Sequence, residues 1–257
     1  MINSKNKHLF FLAGEPSGDL HGSHIIRHLK RMHKNVVFSG LGGPQMMRAG
    51  LTSLVSFDRL AVMGFIEIIK RIPFFLNLER LLLQHIKKTL PDKILLIDYP
   101  GLNLRLAKKI KQKYNLPIYY YISPQLWAWK ENRLQIIKKY IDHMIVIFPF
   151  EKEWYNNRNV SVQYFGHPII DLSRQYQMCP KKRNKNIVVA LCPGSRQQEV
   201  KKHLPVFTEL VTSPYLVNKN ITFMLCLAPG ISEAVVTNIS KYKNVTVEKR
   251  PLLKSFK

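Results

Sequence analysis

The stretch Gly14-Glu15-Pro16-Ser17-Gly18-Asp19 constrains this chain more than any other. It follows the apolar run His8-Leu9-Phe10-Phe11-Leu12-Ala13 and opens into Leu20-His21-Gly22-Ser23-His24-Ile25-Ile26-Arg27-His28-Leu29. A buried strand, a glycine-rich turn and a helix start, in that order, belong to a parallel α/β sheet whose turns offer backbone N–H groups at the strands' carboxyl ends. Gly14, Gly18 and Gly22 do not follow the Gly-x-Gly-x-x-Gly spacing, which argues against a nicotinamide cofactor. Two carboxylates, Glu15 and Asp19, with Ser17 between them, sit where catalytic groups of open α/β sheets gather. The plainer reading makes Asp19 a helix cap.

The same alternation continues along the chain. Strands are predicted at Leu9–Ala13, Val36–Ser39, Lys93–Ile97, Ile118–Ile122, Met144–Phe148 and Val162–Phe165, and helices over 19–33, 44–49, 62–89, 102–114, 131–140 and 150–157. Periodicity lapses between Pro168 and Asn186, which reads as a linker. It resumes with strands Ile187–Cys192, Ile221–Leu227 and from Val245, and helices over 197–212 and Ser232–Lys241. The expectation is an α/β chain with two domains, 1–170 and 187–257. The second holds about two and a half βα units, where a doubly wound sheet normally has five or six strands, and so reads as incomplete.

Composition narrows the function classes. The chain has 257 residues, 46% hydrophobic and 22% charged, enough for a substantial core. No apolar run approaches the ~20 residues of a membrane span. The N-terminal apolar run is too short, and wrongly flanked by Gly-Glu-Pro, for a signal peptide. Cys179, Cys192 and Cys226 fit no metal spacing and no disulfide framework, so a reducing cytoplasm is expected. His21 and His24, three residues apart, lack acidic neighbours on their helix face, so no metal is expected. The net charge of +24 favours acidic partners, whether anionic lipid, phosphorylated substrate or nucleic acid; a Lys-, Asn- and Ile-rich composition of genetic origin explains it equally well. The cations are scattered, densest at Lys108–Lys113 and Lys181–Lys185, and no nucleic-acid-binding motif accompanies them, so nucleic acid is not expected as a partner.

Four further segments carry chemistry beside a plainer reading. In Lys93–Asn103 an apolar strand ends in Asp98, followed by Tyr99-Pro100-Gly101 and a helix start near Asn103. Apolar surroundings raise a carboxylate's pKa and suit it to general-base work; the alternative is a loop brace. Ser123-Pro124-Gln125-Leu126-Trp127-Ala128-Trp129 offers flat aromatic faces to sugars or acyl chains, or plugs the core. Pro193-Gly194-Ser195-Arg196, with Glu199, places an arginine at a helix start and points to a diphosphate site. Leu60–Leu76 is unusually apolar, and Met63, Phe65, Ile66, Ile69, Phe74 and Phe75 stand beside Lys70 and Arg71. Such a segment lies in a membrane interface or covers the sheet.

Taken together these segments resemble the lipid-A-disaccharide synthase family. The resemblance rests on Gly14–Asp19, Gly40-Leu41-Gly42-Gly43-Pro44 with Met47, Met63-Gly64-Phe65 with Glu67, and Asp98–Asn103. Ser123–Trp129, Phe165-Gly166-His167-Pro168 and Pro193–Arg196 with Glu199 complete it. It implies two Rossmann-like domains of the GT-B glycosyltransferase type, at the cytoplasmic face of the inner membrane and peripheral to it. It implies transfer of 2,3-diacylglucosamine from UDP-2,3-diacylglucosamine to 2,3-diacylglucosamine 1-phosphate, with inversion and without a cofactor or metal. Asp98, or else Glu15, would be the base. Glu15, Ser17 and Asn103 would hold acceptor or sugar, Asp19, Gln125, Trp127 and Glu199 would also bind substrate, and Arg196 with the helix start behind it would stabilise the leaving diphosphate. Met63, Phe65, Ile66, Ile69, Lys70, Arg71, Phe74 and Phe75 would meet anionic inner-membrane phospholipids. Family members continue past residue 257 through a glycine- and threonine-rich loop, so the alternative is a truncated remnant that binds lipid or sugar nucleotide without turnover.

Overall fold

The structure, a computed structural model, describes residues 6–57, 72–174, 187–217, 221–228 and 231–249. The chain divides into two compact units, Met1–Pro168 and Ile169–Lys257.

The first unit is built on seven parallel strands: β1 (Lys7–Ala13), β2 (Val36–Leu41), β3 (Leu51–Ser53), β4 (Lys93–Ile97), β5 (Ile118–Tyr121), β6 (His143–Val146) and β7 (Val162–Tyr164). Their order is β3-β2-β1-β4-β5-β6-β7. Among the described residues six α-helices accompany them: α1 (Pro16–Met32), α2 (Pro44–Ala49), α3 (Ile72–Thr89), α4 (Pro100–Tyr114), α5 (Leu134–Tyr140) and α6 (Pro149–Asn156). Alternation along each strand feeds two cores. Phe10, Leu12, Ile94 and Leu96 pack under α3 to α6, while Phe11, Ala13, Phe38 and Ile97 pack under α1 and α2. A sheet covered on both faces is why these strands read as unbroken apolar runs. The strand order reverses between β1 and β4. In open α/β sheets such a switch point is where ligands bind, outside the carboxyl ends of the strands; here the turns Gly14–Asp19 and Asp98–Gly101 flank it.

After α7 (Pro168–Arg174), the second unit holds β8 (Ile187–Leu191), β9 (Ile221–Cys226) and β10 (Val245–Glu248), parallel and in the order β10-β9-β8. Helices α8 (Gln197–Thr212) and α9 (Pro214–Val217) accompany them. Leu191, Val200, Val211, Phe223, Leu225 and Ile239 form its core.

Several local expectations are corrected. Helices α1 and α4 begin at Pro16 and Pro100, earlier than periodicity placed them, because proline suits the first helical position, where no N–H is needed. β3, three residues long, escaped notice. The start of the expected linker is the helix α7. The helix expected over Ser232–Lys241 is two 3₁₀ turns, Glu233–Val235 and Ile239–Lys241. The β-branched run Val235-Val236-Thr237 disfavours an α-helix, and the Thr237 hydroxyl donates to the Glu233 and Ala234 carbonyls instead. The 62–71 part of the expected helix 62–89 lies outside the described residues.

Candidate active site

Two turns meet at the switch point. Gly14 follows β1 and packs so closely on the Tyr99 ring that a Cβ would overlap it, which leaves glycine as the residue that fits. Glu15 is the N-cap residue of α1, with extended backbone (φ −130°), and its side chain does not cap its own helix. Instead its carboxylate faces Tyr99, whose phenol is pushed up to about 12 by burial first and by that carboxylate second. Ser17, in the first turn of α1, is exposed.

The backbone beyond β4 is strained. Asp98 and Tyr99 have φ of 47° and 49°, and Ile122, at the end of the neighbouring β5, has φ of 66°. Left-handed conformation is uncommon outside glycine and an outlier for a β-branched residue. Such strain persists only where surrounding contacts overdetermine it. Here they do. The Asp98 amide donates to the Tyr121 carbonyl at 2.9 Å. The Asp98 carbonyl accepts from the Tyr120 hydroxyl and from Asn103 Nδ2, both at 2.6 Å. Tyr120 is fully buried, and its phenol is raised by burial and then by the Asp98 charge. The turn thus places the half-buried Asp98 carboxylate at the carboxyl edge beside the Glu15 turn.

Two residues expected at the substrate are committed to scaffolding. Asp19 is 3% exposed, and its carboxylate accepts from the Gln45 and Met46 amides of α2 at 3.0 and 2.9 Å. It caps a neighbouring helix, and Gly43 lacks a side chain because a Cβ there would lie 2.6 Å from Asp19 Oδ2. Asn103 is fully buried and holds Asp98 from behind; its Oδ1 has no hydrogen-bond partner among the described residues. Asn103 therefore positions the Asp98 turn.

Farther along the same edge Trp127 stays 40% exposed and donates to Glu151, a buried carboxylate that also accepts from the Ile147 and Phe148 amides at 3.2 and 3.1 Å. Burial raises Glu151 above its ordinary value, against the pull of those donors. Trp127 meets Phe150 edge-on at 5.0 Å, and Phe148 joins Phe150 and His167. Gln125 is exposed, and its carbonyl accepts from the Ala128 and Trp129 amides. The sequence brought His21 to notice only as a metal ligand. Its imidazole lies edge-on to Tyr121 and is lowered to about 4 by burial, then by His24 and His167, so it is neutral at pH 7. The available signal was its place one turn into the helix opened by Gly14–Asp19.

In the second unit, Glu199 folds back over the start of α8. Its Oε2 accepts from the Ser195 and Arg196 amides at 3.0 and 3.1 Å, and Oε1 from Arg196 Nη1 at 3.0 Å. Burial pushes the carboxyl up, and the Arg196 and Ser195 donors outweigh it, holding it below its ordinary value. Gly194 (φ 118°) leaves room for this carboxylate. Arg196 remains largely exposed. Among the described residues no group of three His, Cys, Asp or Glu is placed to hold a metal. Met63, Phe65, Ile66, Ile69, Lys70 and Arg71 lie outside the described residues. Phe74 and Phe75, edge-on at 5.6 Å, pack partly buried against the main core, so part of their apolar surface serves the fold.

Residues 9–252 match the family model described as lipid-A-disaccharide synthetase. A lipid-A-disaccharide synthase of Coxiella burnetii is 41% identical over 214 residues, 79% of this chain and 56% of that protein. Lipid-A-disaccharide synthase 1 of Legionella pneumophila is 38% identical over 245 residues, 92% of this chain and 63% of its own length. The chain thus spans little more than half the length of the Coxiella relative. Among solved structures, the UDP-GlcNAc 2-epimerase of Neisseria meningitidis bound to UDP-GlcNAc matches with a TM-score of 0.60 at 12% identity, covering 97% of this chain and 73% of that one. The calicheamicin glycosyltransferase CalG4 matches with a TM-score of 0.54 at 11% identity, covering 98% and 72%. These likenesses establish a GT-B type fold.

Proposed function

This chain belongs to the lipid-A-disaccharide synthetase family, and from that premise we propose that the protein transfers 2,3-diacylglucosamine from UDP to 2,3-diacylglucosamine 1-phosphate, giving a β-1,6-linked disaccharide phosphate and UDP. The observation that carries this reading is the Asp98 turn: a carboxylate on strained, overdetermined backbone at the switch point, beside the Glu15 turn. An α-linked sugar nucleotide giving a β linkage undergoes a single in-line displacement. The Asp98 carboxylate takes the proton of the attacking acceptor hydroxyl as the bond to the anomeric carbon forms and the bond to UDP breaks. Its fixed placement removes the entropy of finding that geometry. Glu15 and Ser17 hold the acceptor, and the exposed Trp127 and Gln125 offer a flat face and an amide to a sugar. Arg196 pairs with the leaving diphosphate, which supplies the electrostatic stabilisation by protein groups alone.

Both substrates are acylated, so the enzyme meets them at a bilayer surface. No helix among the described residues is long and apolar enough to cross a membrane. Peripheral attachment at the cytoplasmic face of the inner membrane falls to Met63–Leu76, with its aromatic residues in the interface and Lys70 and Arg71 at anionic headgroups, about 1 kcal/mol per cation. Changing Phe65, Ile69 and Phe74 to Ser is expected to release the protein from anionic vesicles; co-sedimentation equal to the native protein's means the anchor lies elsewhere. The transfer itself is tested by release of UDP and formation of the disaccharide phosphate from purified substrates. Binding of both substrates without turnover by the 257-residue chain, beside turnover by a relative of full length, makes the chain a binding remnant.

A further inference from the structure

Cys192 and Cys226 take no part in the reaction above, yet the fold brings them together. β8 and β9 run in parallel with Leu191 opposite Leu225, so Cys192, the first residue beyond β8, comes next to Cys226, the last residue of β9, which pairs on its other side with Glu248 of β10. Neighbouring strands lie about 4.8 Å apart, within the ~4.4–6.8 Å Cα separation that a disulfide spans. Cys192 is exposed and Cys226 buried. The Cys226 thiol is pushed up to about 11 by burial first, then by the Cys192 thiol with which it shares a hydrogen bond, and by Glu248. Cys192 leads directly into Pro193-Gly194-Ser195-Arg196, where Gly194 holds a φ of 118° and Glu199 holds the Ser195 and Arg196 amides.

We propose that Cys192 and Cys226 form a dithiol that hydroperoxides close into a reversible disulfide, and that closure disturbs the Gly194–Arg196 turn. The exposed Cys192 thiolate attacks a peroxide oxygen and the O–O bond breaks, leaving a sulfenic acid and water. The Cys226 sulfur then attacks the sulfenic sulfur, the S–O bond breaks and a second water leaves. The two thiols lose two electrons and two protons, and one hydrogen peroxide becomes two waters. Cys226 ionises with difficulty, and its contact with Cys192 compensates by making the second step intramolecular. The Cβ atoms of adjacent parallel strands stand about as far apart as the strands, wider than the ~3.8 Å of a relaxed disulfide. Closure therefore draws the exit of β8 toward β9, and strain of this kind makes a disulfide easy to reduce.

The dithiol stands independently of the nucleotide assignment; only a loss of UDP affinity on closure rests on Arg196 holding the diphosphate. The test treats the native chain, and a Cys179→Ser variant, with one equivalent of hydrogen peroxide, followed by digestion without reductant. A peptide joining Cys192 to Cys226, lost with dithiothreitol, is expected in both, together with several-fold faster hydrogen exchange at the Ser195 and Arg196 amides. Two thiols that still alkylate after treatment, or a bridge from Cys192 to Cys179, overturn the dithiol. A 192–226 bridge with unchanged exchange at both amides overturns its coupling to the turn.

Discussion

At Gly14–Asp19 the N-cap side chain leaves its own helix uncapped, whereas at Gly194–Glu199 a carboxylate closes back on the helix start. Both segments read alike in sequence: apolar strand, glycine turn, acidic residue, helix. In the first, Asp19 crosses to α2 and Glu15 faces Tyr99, so the first-turn amides of α1 depend on partners other than the N-cap side chain. In the second, Glu199 satisfies the Ser195 and Arg196 amides locally, and an incoming anion competes with it for that place. The position of one carboxylate decides the electrostatics of a strand-to-helix turn. An acid at the N3 position fills the anion site, and an acid that reaches another element leaves it to a ligand.

The largest effect is expected at the first edge: Asp98→Asn should lower turnover of a chain carrying the whole enzyme about 10²–10⁴-fold, the usual contribution of a general base, at unchanged melting temperature. Near-normal turnover would transfer the role to Glu15. Arg196→Ala should weaken UDP binding by roughly 1.5–3 kcal/mol, the worth of one charge-assisted hydrogen bond; calorimetry showing equal affinity removes the second turn from the nucleotide site. Asp19→Ala should destabilise the first unit by roughly 1.5–3 kcal/mol, since two α2 amides lose a charged acceptor. Urea unfolding followed by tryptophan fluorescence reads this cleanly, because Trp127, Trp129 and Trp154 all lie in that unit. Glu199→Ala should cost the second unit about 1 kcal/mol, as loss of a cap does, and should raise UDP affinity by freeing two amides. A fall in affinity instead would place Glu199 on the ligand, as the family resemblance implied.

The smallest effect separates the units by pH. His8, His21 and His85 all have imidazoles held below their ordinary value, chiefly by burial, and His8 and His85 both contact the Ser39 hydroxyl, at 2.7 and 2.8 Å. A depressed imidazole pKa means the fold prefers the neutral form. That stability is complete above the unfolded value of 6.5 and is lost as pH falls toward the folded values, about 4 for His21. The raised Glu151 acts in the opposite sense and offsets part of the loss. Glu199, held low, contributes above its unfolded value of 4.5 and is lost only as pH falls below that. Acid should therefore loosen the first unit between about pH 6.5 and 4.5 while α8 keeps its cap. Equal acid sensitivity by hydrogen exchange in both units contradicts this.

The elements were legible where burial is uniform. The run at Phe10–Ala13 is buried on both faces, so its strand shows in the sequence as unbroken apolarity. Elements set by short-range competition were less legible: at Ser232–Lys241, local hydroxyl bonds and β-branching overrode helical periodicity. The site divides in the same way. That Asp98 ends a strand is a local fact, and the sequence carried it. That Asn103 serves the Asp98 carbonyl and Asp19 serves α2 depends on atoms from other elements.

The amino-acid order by itself determined the parallel α/β class, the two turns and the residue types that bear charge, because each follows from spacing of 2 or 3.6 residues and from glycine and proline chemistry. Only the tertiary structure decided what each charge does. Glu15 and Asp19 are four residues apart on one turn. One stays at the switch point and the other is buried against α2, since the partner that captures a carboxylate, here the Gln45 and Met46 amides, comes from a strand-helix unit that local sequence does not contain.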